Sequence, residues 1–190
     1  MAAVTWDNGA FMALIEGLIN LFASLMVAGS KTFNQGKIQY SVHTPYQFLD
    51  LHCHELLPDW TLPMSSLLII LQNSPICLTD PITPEYYKPA LRTQFLEIGL
   101  AIAHLLKLQR YQVDLFDPAT GLPLLSGRGS LRLDDVTVVR SCLGYPTIEF
   151  GQCRLIEHPR WHYAVYPSVL VSSAPVDVLQ MTTETIVSEE

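Results

Sequence analysis

Cys153 has the most direct route to chemistry of any side chain in this sequence. It stands in the run Gly151-Gln152-Cys153-Arg154, with His158 five residues further on. A neighbouring cation such as Arg154 favours the thiolate form of a cysteine. A thiolate is a nucleophile and a soft ligand, suited to soft or borderline metal centres. Gly151 permits a bulge, or the close approach of something bulky. There is also a plain structural reading, in which each of Cys53, Cys77, Cys142 and Cys153 is a small buried hydrophobe.

Other reactive residue types fall at spacings that suggest structure. His52-Cys53-His54 has the composition of a metal cluster. Sequence neighbours on a helix point in different directions, however, and cannot converge on one ion. An interior cysteine beside two surface histidines is the reading that follows. Asp114 and Asp117 could do acid–base work as paired carboxylates, which needs one of them with a raised pKa. Alternatively, Asp117 caps the turn Asp117-Pro118-Ala119-Thr120-Gly121 through its own backbone. His104 falls within a helical pattern and reads as structural. Gly127-Arg128-Gly129-Ser130 is a short polar loop and a weak phosphate candidate. The chain has no G-x-x-x-x-G-K, no G-x-G-x-x-G and no G-x-S-x-G, so the common nucleotide and nucleophile-elbow signatures are missing.

Composition narrows the class. The chain has 190 residues, 49% of them hydrophobic and 15% charged, enough for one domain with one core and too apolar for disorder. A net charge of -7 repels phosphate backbones and argues against nucleic acid as a partner. No Lys/Arg-rich run suggests an anionic membrane surface. Four cysteines without a C-x-x-C pair are too sparse for a disulfide scaffold and lack zinc-finger spacing. The simplest reading is reduced thiols in a cytoplasm.

The elements that would position these groups can be sketched. Residues 1–36 read as an apolar N-terminal extension and linker. Phe11 to Ala28 is apolar but interrupted by Glu16 and Asn20, and no Lys or Arg precedes it. These features argue against a membrane span and a signal peptide. An extra helix, a weak anchor, or residues upstream of the true start are the readings left. Ile38, Tyr40 and Val42 alternate as in a half-buried strand. Thr44-Pro45-Tyr46-Gln47 predicts a helix start, with Phe48, Leu51 and Leu56 on its inner face and Pro58 at its end. Leu67 to Leu71 reads as a buried strand. Thr83-Pro84-Glu85 opens a helix with Leu91, Phe95, Ile98, Ile102 and Leu105 on one face. Tyr111–Phe116, Val136–Val139, Thr147–Ile156 and His162–Val171 read as strands, and residues 182–190 as a polar, acidic, frayed tail. The expected fold class is α+β, a largely antiparallel sheet with helices packed on one face, spanning residues 37–181.

Two segments carry a family resemblance. The first is Tyr111-Gln112-Val113-Asp114-Leu115-Phe116-Asp117-Pro118-Ala119-Thr120-Gly121-Leu122. The second is Leu143-Gly144-Tyr145 followed by Phe150-Gly151-Gln152-Cys153-Arg154-Leu155-Ile156-Glu157-His158-Pro159-Arg160-Trp161. Their pattern, Y-x-x-D-x-x-D-P-x-[ST]-G-L, then L-G-[FY], then G-x-C-[KR]-x-I-x-H-x-x-W, resembles the methylmalonic aciduria and homocystinuria type D protein family. More weakly, Pro45 to Pro58 and Leu67 to Leu71 resemble the family's upstream helix and strand. The resemblance covers about Ile38 to Met181.

The resemblance implies a modified, cofactor-free nitroreductase-like domain that traffics cobalamin (vitamin B12) inside the cell. It implies no enzyme activity and no resident cofactor, with cobalamin as transient cargo. The implied partners are a cobalamin-processing, type C-like protein and B12-dependent enzymes such as methionine synthase or methylmalonyl-CoA mutase. In the family, a cysteine of the G-C-C segment is proposed to supply a thiolate to cobalt. Animal members carry two adjacent cysteines where this chain has Gln152-Cys153; Gln152 matches the first and Cys153 the second. Successive strand residues face opposite sides, so the offset matters. Cys153 is the candidate cobalt thiolate, with Gln152, His158 and Trp161 as supporting neighbours. The chain lacks the long animal N-terminal region and resembles a compact bacterial relative. A flavin- or thiol-dependent reductase of nitroreductase-like fold is the alternative function, since fold does not fix function. A plain interaction module docking through the N-terminal segment is a third.

Overall fold

The computed structural model describes residues 38–77, 84–151 and 153–187, so the expected extension over residues 1–36 lies outside the described residues. Four strands form one antiparallel sheet. In it β1 (Ile38–His43) pairs with β2 (Ser66–Asn73), β2 with β6 (Val165–Ser172), and β6 with β3 (Val113–Phe116), giving the order β1-β2-β6-β3. Two further strands, β4 (Thr147–Phe150) and β5 (Cys153–Ile156), make a separate hairpin.

The sheet is covered on both faces, not on one as the sequence pattern predicts. Leu67, Ile69 and Leu71 of β2, with Val169 and Val171 of β6, face Leu49, Leu56, Val138 and Val139. These last four come from three short helices: α1 (Gln47–Leu51), α2 (Cys53–Leu56) and α4 (Asp135–Leu143). Leu68 and Ile70 of β2 and Leu170 of β6 point the other way, onto Phe95, Ile98 and Ile102 of α3 (Pro84–Leu108) and Leu179 of α5 (Val176–Val187). Continuous apolar runs, rather than alternation, are what a strand buried on both faces requires. Each large apolar side chain fully buried there contributes roughly 1.5–3 kcal/mol of transfer free energy.

Four expected elements are corrected, the first being Thr147–Ile156, which is not one strand but the two strands of the hairpin, with Gly151 at positive φ between them. Val136–Val139 is helical, not a strand. The Asp134 carboxylate accepts from the N–H groups of Val136 (3.1 Å) and Thr137 (3.4 Å), and Gly144 closes the helix in the left-handed conformation. A good cap at each end outweighs the strand preference of the β-branched run between them. The helix foreseen from Thr44 begins later, at Gln47, and breaks at His52. Leu49, Leu56 and Leu57 turn inward, while Phe48 is 44% and Leu51 71% exposed. The tail is not frayed from residue 182: α5 runs to Val187, with Thr182 and Thr183 buried and their hydroxyls donating to the carbonyls of Val178 and Leu179 at 2.8 Å. The turn after β3, the β2 strand and the start of α3 at Pro84 agree with expectation.

A long loop binds these layers together. The Asp117 carboxylate accepts from Arg92 Nε (2.6 Å), the Ala119 N–H (3.1 Å) and the Thr120 hydroxyl (3.2 Å), tying the end of β3 to α3 and forming the turn. The chain then runs back along the edge of β3, with the Leu124 N–H on the Leu115 carbonyl at 3.0 Å. Asp114 is buried and accepts from the N–H groups of Leu124 and Leu125 at 2.9 and 3.0 Å. Next the loop crosses α2, where Leu131 N–H reaches the Glu55 carbonyl, and Gly129 lies so close that a Cβ would overlap that carbonyl. Finally Leu133 N–H returns to the Gly121 carbonyl at 2.8 Å, and Gly121 has φ +68° with the Leu133 carbonyl where a Cβ would be.

Both glycines are therefore required by shape. Gly129→Ala should destabilise the fold by about 1–3 kcal/mol through overpacking. Gly121→Ala should do so at least as much, because left-handed strain adds to the overlap. Urea unfolding monitored by tryptophan fluorescence measures this, and an unchanged midpoint for either variant would show that the loop is not held as described.

Candidate functional site

The family-like residues from Phe150 to Trp161 form the hairpin and its base. Gly151 turns the chain with φ +61°, and Phe150 and Cys153 face each other across the turn as the last pair of the ladder. Cys153 is a free, exposed thiol, and Phe150 is 47% exposed. The tip thus presents a sulfur beside an apolar ring. Gln152, the match to the family's cobalt-assigned cysteine, lies outside the described residues.

Arg154 turns away from the thiol. Its guanidinium pairs with Asp134 and donates to the Thr137 hydroxyl at 3.0 Å. The cation expected to serve Cys153 instead fastens the hairpin to the N-terminus of α4, where Asp134 also caps the helix.

His158 and Trp161 are brought together, but away from Cys153. The thiol opens β5, and His158 follows the strand's other end by two residues. At about 3.3 Å per strand residue the two are more than one hydrogen-bond shell apart. His158 is buried, with its ring stacked on Trp161 at 4.2 Å between centroids and edge-on to Tyr145 at 5.4 Å. Its Nδ1 accepts from the N–H groups of Arg160 (3.2 Å) and Trp161 (3.1 Å). That fixes the proton on Nε2, which donates to Gln39 Oε1 at 3.1 Å; Gln39 Nε2 in turn donates to the Tyr145 hydroxyl at 3.0 Å. Burial, with the Arg160 charge added, lowers the His158 pKa. This is a neutral histidine in a clasp between the hairpin base and β1, a positioning role and not a ligand role.

A second group of polar side chains escaped the sequence analysis. Arg92 holds Asp117 below the usual carboxylate range. Asp135, the first residue of α4, is pushed well above it by burial and then by the Asp117 charge, and its Oδ1 has no hydrogen-bond partner. Tyr166 on β6 is raised by burial and by the same two carboxylates. Asp117 caps its turn, as the structural reading of it predicts, and the carboxylate that feels its charge is Asp135. Two carboxylates with pKa values driven apart can define an acid and a base. Two surface cavities of about 330 and 340 Å³ are lined by other residues, so this group reads as a buried polar anchor. A signal was present in the sequence: Asp134-Asp135 ahead of Gly144 is a helix-capping pattern that places Asp135 in the first turn.

The remaining candidates resolve simply. Among the described residues, no group of three or more His, Cys, Asp or Glu side chains could hold a metal ion. His52 Nδ1 lies 2.8 Å from Glu55 Oε1, and Cys53 is half-buried between its two histidines. The Gly127 N–H donates to the Asp59 carboxylate at 2.7 Å, so that loop faces an anion of its own and is no phosphate cradle. No helix among the described residues is long and apolar enough to cross a membrane. No protein-family model and no curated protein matches the chain.

Two pH dependences follow. A lowered histidine pKa contributes stability that is complete above its ordinary value of 6.5 and is lost as pH falls through the folded value. The stability difference between wild type and His158→Gln should therefore be about 1–3 kcal/mol above neutrality and shrink in acid; a difference that widens in acid would contradict the neutral clasp. A raised carboxylate pKa acts oppositely, contributing stability at low pH that is lost as pH rises. Asp135→Asn should gain on wild type as pH rises above the ordinary carboxylate value of 3.8, measured by denaturant midpoints at each pH, and a flat difference would place Asp135 in water.

Proposed function

We propose that this chain is a non-enzymatic adaptor in intracellular cobalamin trafficking, which receives cobalamin from a processing protein and helps pass it to B12-dependent enzymes in the cytoplasm. The support is the two-segment resemblance to the type D family together with one observation: Cys153, the thiol in the family-like run, stands exposed at the hairpin tip next to the exposed ring of Phe150. The finer fold assignment, a cofactor-free nitroreductase-like domain, belongs to the same reading.

The chemistry asked of the tip is ligand exchange on the cargo. The Cys153 thiol loses its proton to solvent, its sulfur forms a bond to cobalt, and the water bound to cobalt leaves. No electron is transferred. Phe150 offers an apolar surface to the corrin ring, and Asp134–Arg154 together with the His158 clasp keep the hairpin in place. His158 and Trp161 support the site through the hairpin's base. The partners in this reading are a type C-like processing protein upstream, and methionine synthase or methylmalonyl-CoA mutase downstream.

The test is a visible spectrum of aquocobalamin mixed with the protein. Wild type should shift the cobalamin bands; Cys153→Ala should leave those of free aquocobalamin, and Phe150→Ala should weaken the shift severalfold. Identical spectra for wild type and Cys153→Ala would remove thiolate ligation. A pull-down from native cytoplasm that contains no cobalamin-processing or B12-dependent protein would remove the adaptor role.

A further inference from the structure

Asp134 and Asp135 are neighbours in opposite surroundings. Asp134 is exposed and fully occupied. Its carboxylate accepts from the N–H groups of Val136 and Thr137 and from the Thr137 hydroxyl, at 3.1, 3.4 and 2.7 Å, and pairs with Arg154 of β5. Asp135 is buried, and its Oδ1 has no hydrogen-bond partner among the described residues. Both belong to the first turn of α4, so a change that opens this turn for one carboxylate disturbs the bonds of the other.

The charged and titratable groups around Asp135 do not compensate it. Asp117 at the end of β3 is a second carboxylate, and its charge adds to burial in raising the Asp135 pKa. Tyr166 on β6 is buried as well and interacts with both carboxylates. Arg92 of α3 is bonded to Asp117, and Arg154 of β5 to Asp134. The positive end of the helix favours an anion here, but only weakly beside the cost of burying an unpaired charge. The closed fold therefore keeps this carboxyl protonated. Once ionised, it is relieved by water, and the shortest way in is the helix end. Val138 and Val139 hold the rest of α4 in the core, whereas the Asp134 carboxylate holds the first turn. Helix ends open at the low end of a protein's local stabilities.

We propose that the first turn of α4 is a pH-operated catch for the hairpin: with Asp135 neutral the turn is closed and Asp134 holds Arg154, and with its proton given up to solvent the turn opens to water, Asp134 releases Arg154, and the Phe150–Cys153 tip moves on its His158 base. A carboxyl raised in the closed form favours closing fully below its ordinary value of 3.8. From there the open fraction rises about tenfold per pH unit up to the raised value and then levels off. His158 acts in the opposite sense, since its lowered pKa loosens the hairpin base in acid. Asp117 is shifted down and Tyr166 up, so neither changes charge between about pH 5 and about pH 9. The catch needs no cobalamin and stands or falls separately from the Cys153 reading.

The test is amide hydrogen exchange on the full chain from about pH 5 to about pH 9, each rate divided by that of an unprotected amide at the same pH. In wild type the corrected exchange of Val136, Thr137 and Val138, whose N–H groups all bond to Asp134, should rise together with that of the β4–β5 ladder, by about tenfold per pH unit over part of this range. The β2 amides should stay slower at every pH, which separates opening of the turn from unfolding of the domain. Asp135→Asn cannot ionise and should abolish the rise, leaving only the His158 dependence. Arg154→Gln, at a side chain 37% exposed, should speed ladder exchange about tenfold at the acid end and uncouple it from pH, while Val136–Val138 keep their rise. A rise that persists in Asp135→Asn, a ladder that still follows pH in Arg154→Gln, or turn amides that respond in wild type without the ladder would each overturn the proposal. So would ladder and β2 amides rising at one common rate.

Discussion

Asp117 stands where the chain must stop being a strand. Its carboxylate takes the Arg92 guanidinium from α3, the N–H of Ala119 and the hydroxyl of Thr120, and these bonds cannot be made with β3 extended by another residue. A charge-assisted bond to arginine is stronger than a neutral one, and here it also decides direction. Once turned, the chain runs back along the strand edge and places Leu124 and Leu125 on the Asp114 carboxylate. The edge of β3, which would otherwise be an open template for pairing, is covered by this return. The same loop then crosses Glu55 and closes on Gly121, so one carboxylate at a strand end sets the path of the chain over α2 and up to the start of α4.

The hairpin depends on that path. Asp134 comes directly after the loop and does two jobs with one carboxylate: it caps α4 and pairs with Arg154. The hairpin carries little apolar burial of its own, since most of its residues are half-buried or exposed, and two isolated strands are marginal in water. Arg154 near the tip and His158 at the base supply the attachment instead. What is left unattached is the pair Phe150–Cys153. Residues that identify the family-like segments therefore divide by role: the aspartates, Gly121 and His158 are structural, and exposure singles out the thiol and its aromatic neighbour.

Sequence reading succeeded where one local rule had no competitor. β2 is a continuous apolar run, the Asp117–Gly121 turn has Pro and Gly where its geometry needs them, and α3 has a long stripe at helical spacing. It failed where two rules met. At Val136–Val139, β-branched residues pointed to a strand while Asp134 and Gly144 pointed to a helix, and the caps won because each is satisfied in place. At Phe48 and Leu51 periodicity was read correctly as a helix, but an apolar residue was assumed to face the core. Long-range partners left no local trace: Gln39 meets His158 across 119 positions and Arg92 meets Asp117 across 25. Coverage of the sheet on both faces follows from α1 and α2 packing opposite α3: these helices were foreseen, but nothing local says which face each one takes.

The two exposed apolar features, Phe150 at the hairpin tip and Phe48–Leu51 on α1, differ in what the fold needs from them. Neither contributes to the buried core, because Leu49, Leu56 and Ile156 already occupy the inward positions near each. Scattered exposed apolar residues are ordinary on any protein surface. Here Phe48 is held between the Tyr46 and His52 rings, while Phe150 stands opposite the Cys153 thiol across the hairpin turn. A side chain held in one orientation has already lost the conformational freedom that binding would otherwise cost. Order without burial is the property of Phe48, and it separates that ring from Met181 or Leu100, which are exposed on helices with buried faces of their own.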